Sequence, residues 1–116
     1  MKNYKKISEE VIVSKSHLEK LSHKNINFLI SKAKNNKSRK FRLCSHESES
    51  DPVHEMFIVH PKGVYVRPHR HLNKAESILI IEGCMDYITF ENDGKLKDRI
   101  ILGDYKSKNK FYLANK

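Results

Sequence analysis

The stretch GVYVRPHRHLNKAESILIIEG, Gly63 to Gly83, decides how the chain is read. It opens on glycine, alternates through VYVR, carries His69 and His71 one residue apart, reaches Glu76, and runs through ILII to a second glycine. Alternation of period two and β-branched runs bounded by glycine are marks of strands. With residues 64–71 extended, Tyr65, Arg67, His69 and His71 face one side of the sheet, and Val64 and Val66 face the other. LNKA then forms a short connection, and a hairpin-like return brings Glu76 beside the two imidazoles, with Ile78 and Ile80 deeper on that face. Two imidazoles and one carboxylate converging in this way form a facial donor set for Fe(II), Mn(II), Ni(II) or Zn(II). A single histidine on a strand is more often a hydrogen-bonded surface residue. It is the joint spacing that points to a metal.

The strand pattern continues outward on both sides. Upstream lie the loop SHESESDP (Ser45 to Pro52), a strand EMFIV (Glu55 to Val59) and HPKG (His60 to Gly63), whose proline and glycine suit a type I turn. Downstream come CMDYITF, the turn signal ENDG (Glu91 to Gly94), KLKDRIIL and KFYL. Short antiparallel strands joined by tight turns imply a mainly β fold, a sandwich or barrel. If HPKG is a four-residue hairpin loop, Val59 pairs with Val64, Met56 with Arg67 and His54 with His69, which would bring His54 to the donor set. One bulge would turn His54 outward again. For His54 and for His46 a loop-bracing role is the simpler reading.

Residues 1–40 differ in character and form an expected N-terminal helical segment ahead of a β domain over 41–116. Ile26, Leu29, Ile30 and Ala33 recur at helical spacing, with Ser22 as the N-cap and Asn35-Asn36 as the end. Such an apolar stripe needs something to cover.

A chain of 116 residues supports one core. It contains no run approaching a membrane span and no apolar leader after MKNYKK, and its two cysteines, Cys44 and Cys84, lack metal or redox spacing. These features lead to the expectation of a cytoplasmic protein without membrane attachment, with Cys84 a small buried residue. The formal charge of +9 invites a nucleic-acid partner. Against that, the densest cluster, KAKNNKSRK (Lys32 to Lys40), has no interleaved aromatics to stack on bases. An anionic small molecule such as a sugar nucleotide suits the charge, and no nucleic-acid partner is expected.

The spacing Gly63, His69, His71, Glu76, Gly83 resembles the first motif of the cupin superfamily, down to Pro68 before the first histidine. FRLCSH, DPVHEMFIVHPKGVYVRPHRHLNKAES and IIEGCMDYITFENDGKLKDRIILG resemble the WbuC-like cupin family, over roughly residues 26 to 116. Lys74 and Ser77 fit that family's pattern around Glu76. Those proteins are encoded among genes for bacterial surface polysaccharides and are described as cupin-fold metalloproteins. The resemblance implies a cupin-type jelly-roll β-barrel and a divalent metal on His69, His71 and Glu76; it supplies no reaction. Cupins usually carry a second motif whose histidine is the fourth ligand. Here FYLANK resembles the strand leading into it, and no histidine follows His71. The expected barrel is therefore incomplete, with a sheet edge able to pair with a second copy.

Three function classes follow from these readings. One is a cupin enzyme whose metal acts as Lewis acid on a small polar molecule, a sugar or sugar nucleotide, with Arg67 and Tyr65 orienting it. Another is a metal-free sugar-nucleotide ketoisomerase that uses the paired histidines as acid and base. The last is a non-catalytic binding or assembly module. Dinucleotide and P-loop fingerprints are absent from the sequence, which argues against a nucleotide-cofactor enzyme.

Overall fold

The computed structural model describes residues 2–71 and 73–115. The fold is β-rich with one helix and open sheets. The chain divides into two compact units, Met1–Arg67 and Pro68–Lys116.

The first unit holds β1 (Tyr4–Lys6), β2 (Val11–Ser14), α1 (His23–Asn35), β3 (Phe41–Cys44) and β4 (Met56–Val59). The strands form one sheet in the order β1-β2-β3-β4. β1 runs antiparallel to β2, β2 parallel to β3, and β3 antiparallel to β4. A parallel neighbour requires a crossover, and α1 provides it between β2 and β3. Strands β1 and β2 correct the reading of residues 1–40 as helical in pattern. The signal was present in Val11-Ile12-Val13, a β-branched triplet too short to outweigh the lysines around it.

The helix forms where its caps and stripe predict. Ser22 accepts from the Asn25 backbone N–H (3.4 Å), and its own N–H donates to Asn25 Oδ1 (2.9 Å), a capping box with asparagine in the usual acid position. Asn36 closes the helix with its N–H on Lys32 O, and Lys32 and Lys34 oppose the negative dipole end. Leu29 and Ala33, one turn apart, are fully buried against Ile12 of β2 and Phe41 and Leu43 of β3. Ile26 packs at the margin of this cluster, as does Phe28, whose ring meets Phe41 edge-on at 6.5 Å.

The second unit holds β5 (Glu76–Leu79), β6 (Cys84–Phe90), β7 (Leu96–Gly103) and β8 (Tyr112–Asn115). They pair as two antiparallel ribbons, β5 with β8 and β6 with β7. The ENDG signal gives the β6–β7 connection: Glu91 N–H reaches Lys95 O (2.7 Å), Gly94 N–H reaches Glu91 O (3.0 Å), and Gly94 takes φ +89°. A positive φ after two turn residues is the position glycine is selected for. In the loop after β7, Asp104 accepts from the backbone N–H groups of Gly83, Lys106 and Ser107. The Gly83 bond leads in holding its carboxyl below the usual carboxylate range, with the nearby Lys106 charge adding to the effect.

Three expectations about the opening stretch change here. Residues 64–71 form no strand. Pro68 has no N–H to donate, and Tyr65 to His71 are all exposed, so burial gives no reward for pairing. β4 pairs with β3 instead, Cys44 opposite Met56 and Phe41 opposite Val59, so the register that set His54 against His69 is not formed. The turn after β4 lies one residue later than read. Val64 N–H reaches Pro61 O (3.2 Å) with Gly63 at φ +86°, a type II arrangement rather than type I. Cys84, expected to be buried, is exposed, whereas Cys44 is buried and its thiol pushed up by that burial, with Arg42 opposing.

Candidate functional site

His69, His71 and Glu76 all fall in the second unit, and the structure brings the first two together. Their Nε2 atoms lie 3.0 Å apart, with the rings nearly perpendicular at 86°. Glu76 opens β5, opposite Asn115 of β8, and its Oε2 stands 3.8 Å from His71 Nε2. Strand alternation cannot be the cause of the convergence, because the histidines lie in a loop. A tether contributes instead. Arg70, between the two histidines, donates to Asn92 Oδ1 (2.6 Å) in the turn joining β6 and β7. Sequence reasoning missed both Arg70 and Asn92; the only available signal was an arginine interleaved with the two histidines. Leu72, which begins the LNKA connection, lies outside the described residues, and Asn73 after it takes φ +58°, a conformation asparagine tolerates.

The distances bear on what this cluster can do. Two ligands about 2.1 Å from one ion and at right angles to each other are ~3.0 Å apart, widening to ~3.4 Å at the tetrahedral angle. The imidazole pair fits that spacing. The carboxylate exceeds it by roughly half an ångström, a gap within reach of one glutamate torsion. As placed, no group of three or more His, Cys, Asp or Glu is set to hold a metal among the described residues. The same 3.0 Å also suits one imidazole N–H donating to the other ring. The side chains of His71 and Glu76 keep 46% and 42% of their surface in solvent, so an incoming ion or small molecule has access.

Tyr65 and Arg67, read as a substrate clamp, belong to the first unit and are exposed. Tyr65 lines a cleft with Lys37, Arg39, Lys40 and Lys62. His46 and His54 stack face to face, centroids 4.2 Å apart and planes within 7°. Their ring nitrogens engage backbone carbonyls, His46 Nδ1 that of Glu55 (3.2 Å) and His54 Nε2 that of Glu49 (3.0 Å). Together they brace the acidic loop between β3 and β4.

Comparison with known proteins adds a family. Residues 21–102 match the family described as Domain of unknown function (DUF6016). The chain belongs to that family. The DUF6016 region runs from the start of α1 into β7, so it includes the histidine cluster, the basic cleft and the stacked pair, and leaves out β1, β2 and β8. Neither a curated protein nor a solved structure matches the chain. No helix among the described residues is long and apolar enough to cross a membrane.

Proposed function

We propose that the chain is a small metal-binding protein of cupin type, in which His69, His71 and Glu76 hold one divalent ion, Fe, Mn, Ni or Zn, and act on a small polar molecule. The observation that carries this reading is the 3.0 Å approach of the two Nε2 atoms, with a carboxylate 3.8 Å from one of them. The His-x-His and Glu spacing that resembles the first cupin motif supports it, as do the strand-rich elements from which a jelly roll is built. A bound ion would supply Lewis-acid polarisation of a carbonyl or of adjacent oxygens. The residues themselves present two imidazoles and a carboxylate at a solvent-facing position, and Arg70 fixes the loop that carries the histidines. The small polar molecule in this reading is a sugar or sugar nucleotide. A homodimer paired through an open strand edge belongs to the same proposal.

Elemental analysis of tag-free protein purified without chelator tests the site. About one ion per chain is expected, reduced to background in His69→Ala and His71→Ala, with Glu76→Gln binding at least about tenfold more weakly. Wild-type protein without stoichiometric metal, after incubation with each of the four ions, overturns the proposal. That outcome favours the second reading, which the same 3.0 Å distance supports: an imidazole pair passing a proton in metal-free acid–base chemistry, with Glu76 beside His71.

A further inference from the structure

The first unit carries a cleft of about 400 Å³ whose wall is unusual in its charge. Lys37, Arg39, Lys40 and Lys62 line it together with Ser38 and Tyr65, and no acidic residue does. Among the described residues none of these four cations takes part in an ion pair; the pairs formed are Lys6–Glu9, His71–Glu76, Lys95–Asp93 and Arg99–Asp86. Four like charges around one concavity repel one another and raise the local concentration of anions.

The cations are held on braced backbone. Asn36, at the end of α1, donates from Nδ2 to Glu9 O (2.6 Å) and to Lys40 O (2.7 Å), which ties both ends of the 37–40 segment. Arg39 takes φ +58° and donates its N–H to Asn36 O (3.1 Å), so a non-glycine residue accepts a left-handed conformation in the segment. Across the cleft, the type II turn at Gly63 sets Lys62 and Tyr65. The field of this region is felt at His60: partial burial, then the charges of Lys40 and Arg42, hold its imidazole pKa below the ordinary value, with Glu10 pulling the other way.

We propose that this cleft binds a small molecule bearing a diphosphate, with Arg39 and the three lysines on the phosphate oxygens and Tyr65 against the organic remainder. A diphosphate carries enough charge to satisfy several cations at once, and a guanidinium fork matches its oxygens in a bidentate manner. The phenol ring offers a flat apolar face with a polar tip. The volume lies in the range of small-ligand sites. With one aromatic residue, the cleft lacks the succession of stacking platforms that a single-stranded nucleic acid engages. None of its residues is a proposed metal ligand, so the two sites can be tested separately.

Titration calorimetry of the full chain at low ionic strength, without added metal, tests the proposal with two probes, inorganic pyrophosphate and a nucleoside diphosphate. Both are expected to bind at one site per chain, the nucleotide more tightly. The Arg39→Asn/Lys62→Gln double variant, chosen because asparagine tolerates the left-handed position, should bind pyrophosphate at least about tenfold more weakly. Lys24→Gln, an exposed charge elsewhere on α1, should stay within about twofold. His69→Ala should bind as the wild type does, so loss of the metal site and loss of this one are separable. Lys62→Gln alone serves if the double variant melts without cooperativity. The proposal falls if millimolar pyrophosphate gives no heat, if Lys24→Gln loses as much as the double variant, or if only a single-stranded oligonucleotide binds.

Discussion

The two units put comparable apolar material to different use. In the first, a four-stranded sheet has a helix over it, and Leu29, Ala33, Leu43, Ile12 and Phe41 leave solvent. In the second, two separate ribbons expose Leu79, Ile81, Ile88, Leu96 and Ile101, and Leu102 is its one fully buried large side chain among the described residues. A sheet face is stable when another layer covers it, and a lone two-stranded ribbon is marginal in water. The helix is the difference. It supplies the missing layer for β2 and β3, and no described residue of the second unit forms such a layer for β5–β8. The proposed metal ligands sit in the unit with the smaller core, where an ion joining the histidine loop to β5 would add a cross-link that burial does not provide.

The largest effect should come from the core of the first unit. Leu29→Ala removes a fully buried side chain and is expected to cost about 3 kcal/mol, whereas Ile101→Ala, half exposed, should cost under about 1 kcal/mol. Urea unfolding followed by amide exchange reads both, with β3 amides the slowest to exchange. Equal costs for the two substitutions would break the comparison and show that the second unit's apolar face is covered in solution. A cost for Ile101→Ala that grows with protein concentration would identify the cover as a second copy.

The helix cap gives a middle-sized effect. Ser22→Ala removes an acceptor for the Asn25 N–H and one half of the capping box, and should cost about 1 kcal/mol. The loss should appear as faster exchange in the first turn of α1 while the β6–β7 amides stay as they were. If those amides change as well, the units unfold together, and the contrast is one of burial alone.

What the sequence made legible follows the same division. α1 and its cap were readable because a 3.6-residue stripe and a serine ahead of it are local signals, and β6 with its ENDG turn was readable because a glycine at positive φ is chosen locally. The parallel pairing of β2 with β3 was not, because it depends on where a crossover helix packs, a contact distant in sequence. At the candidate site, the residue types and spacing of His69, His71 and Glu76 stand out, and Glu76 opens a strand as the sequence implies, but the histidines lie in a loop. Alternation in VYVRPHRH points to a strand, but Pro68 and the exposure of Tyr65 to His71 leave it a loop tethered through Arg70. The basic cleft has no local signature in the sequence because Lys62 and Tyr65 come to the 37–40 segment only once the sheet has formed.

The smallest effect concerns pH in the first unit. His60 has a folded pKa below its ordinary 6.5 through partial burial and then Lys40 and Arg42, against Glu10. Well above pH 6.5 the imidazole is neutral whether the chain is folded or not, and it contributes no pH dependence. As pH falls below that value the unfolded chain takes up the proton first, so stability declines until the folded pKa is passed and then levels off. His60 keeps part of its surface in solvent, and the neighbouring cations are the part of this effect that charge substitutions test. Lys40→Gln should move the His60 resonance titration upward and flatten the decline in urea midpoint between pH 7.5 and 5.5. Pyrophosphate should do the same to the wild type by neutralising Lys40, and should need at least about tenfold more ligand to do so in the Arg39→Asn/Lys62→Gln variant. A His60 titration that ignores Lys40→Gln would leave burial as its sole cause and remove the link between this histidine and the charge of the cleft.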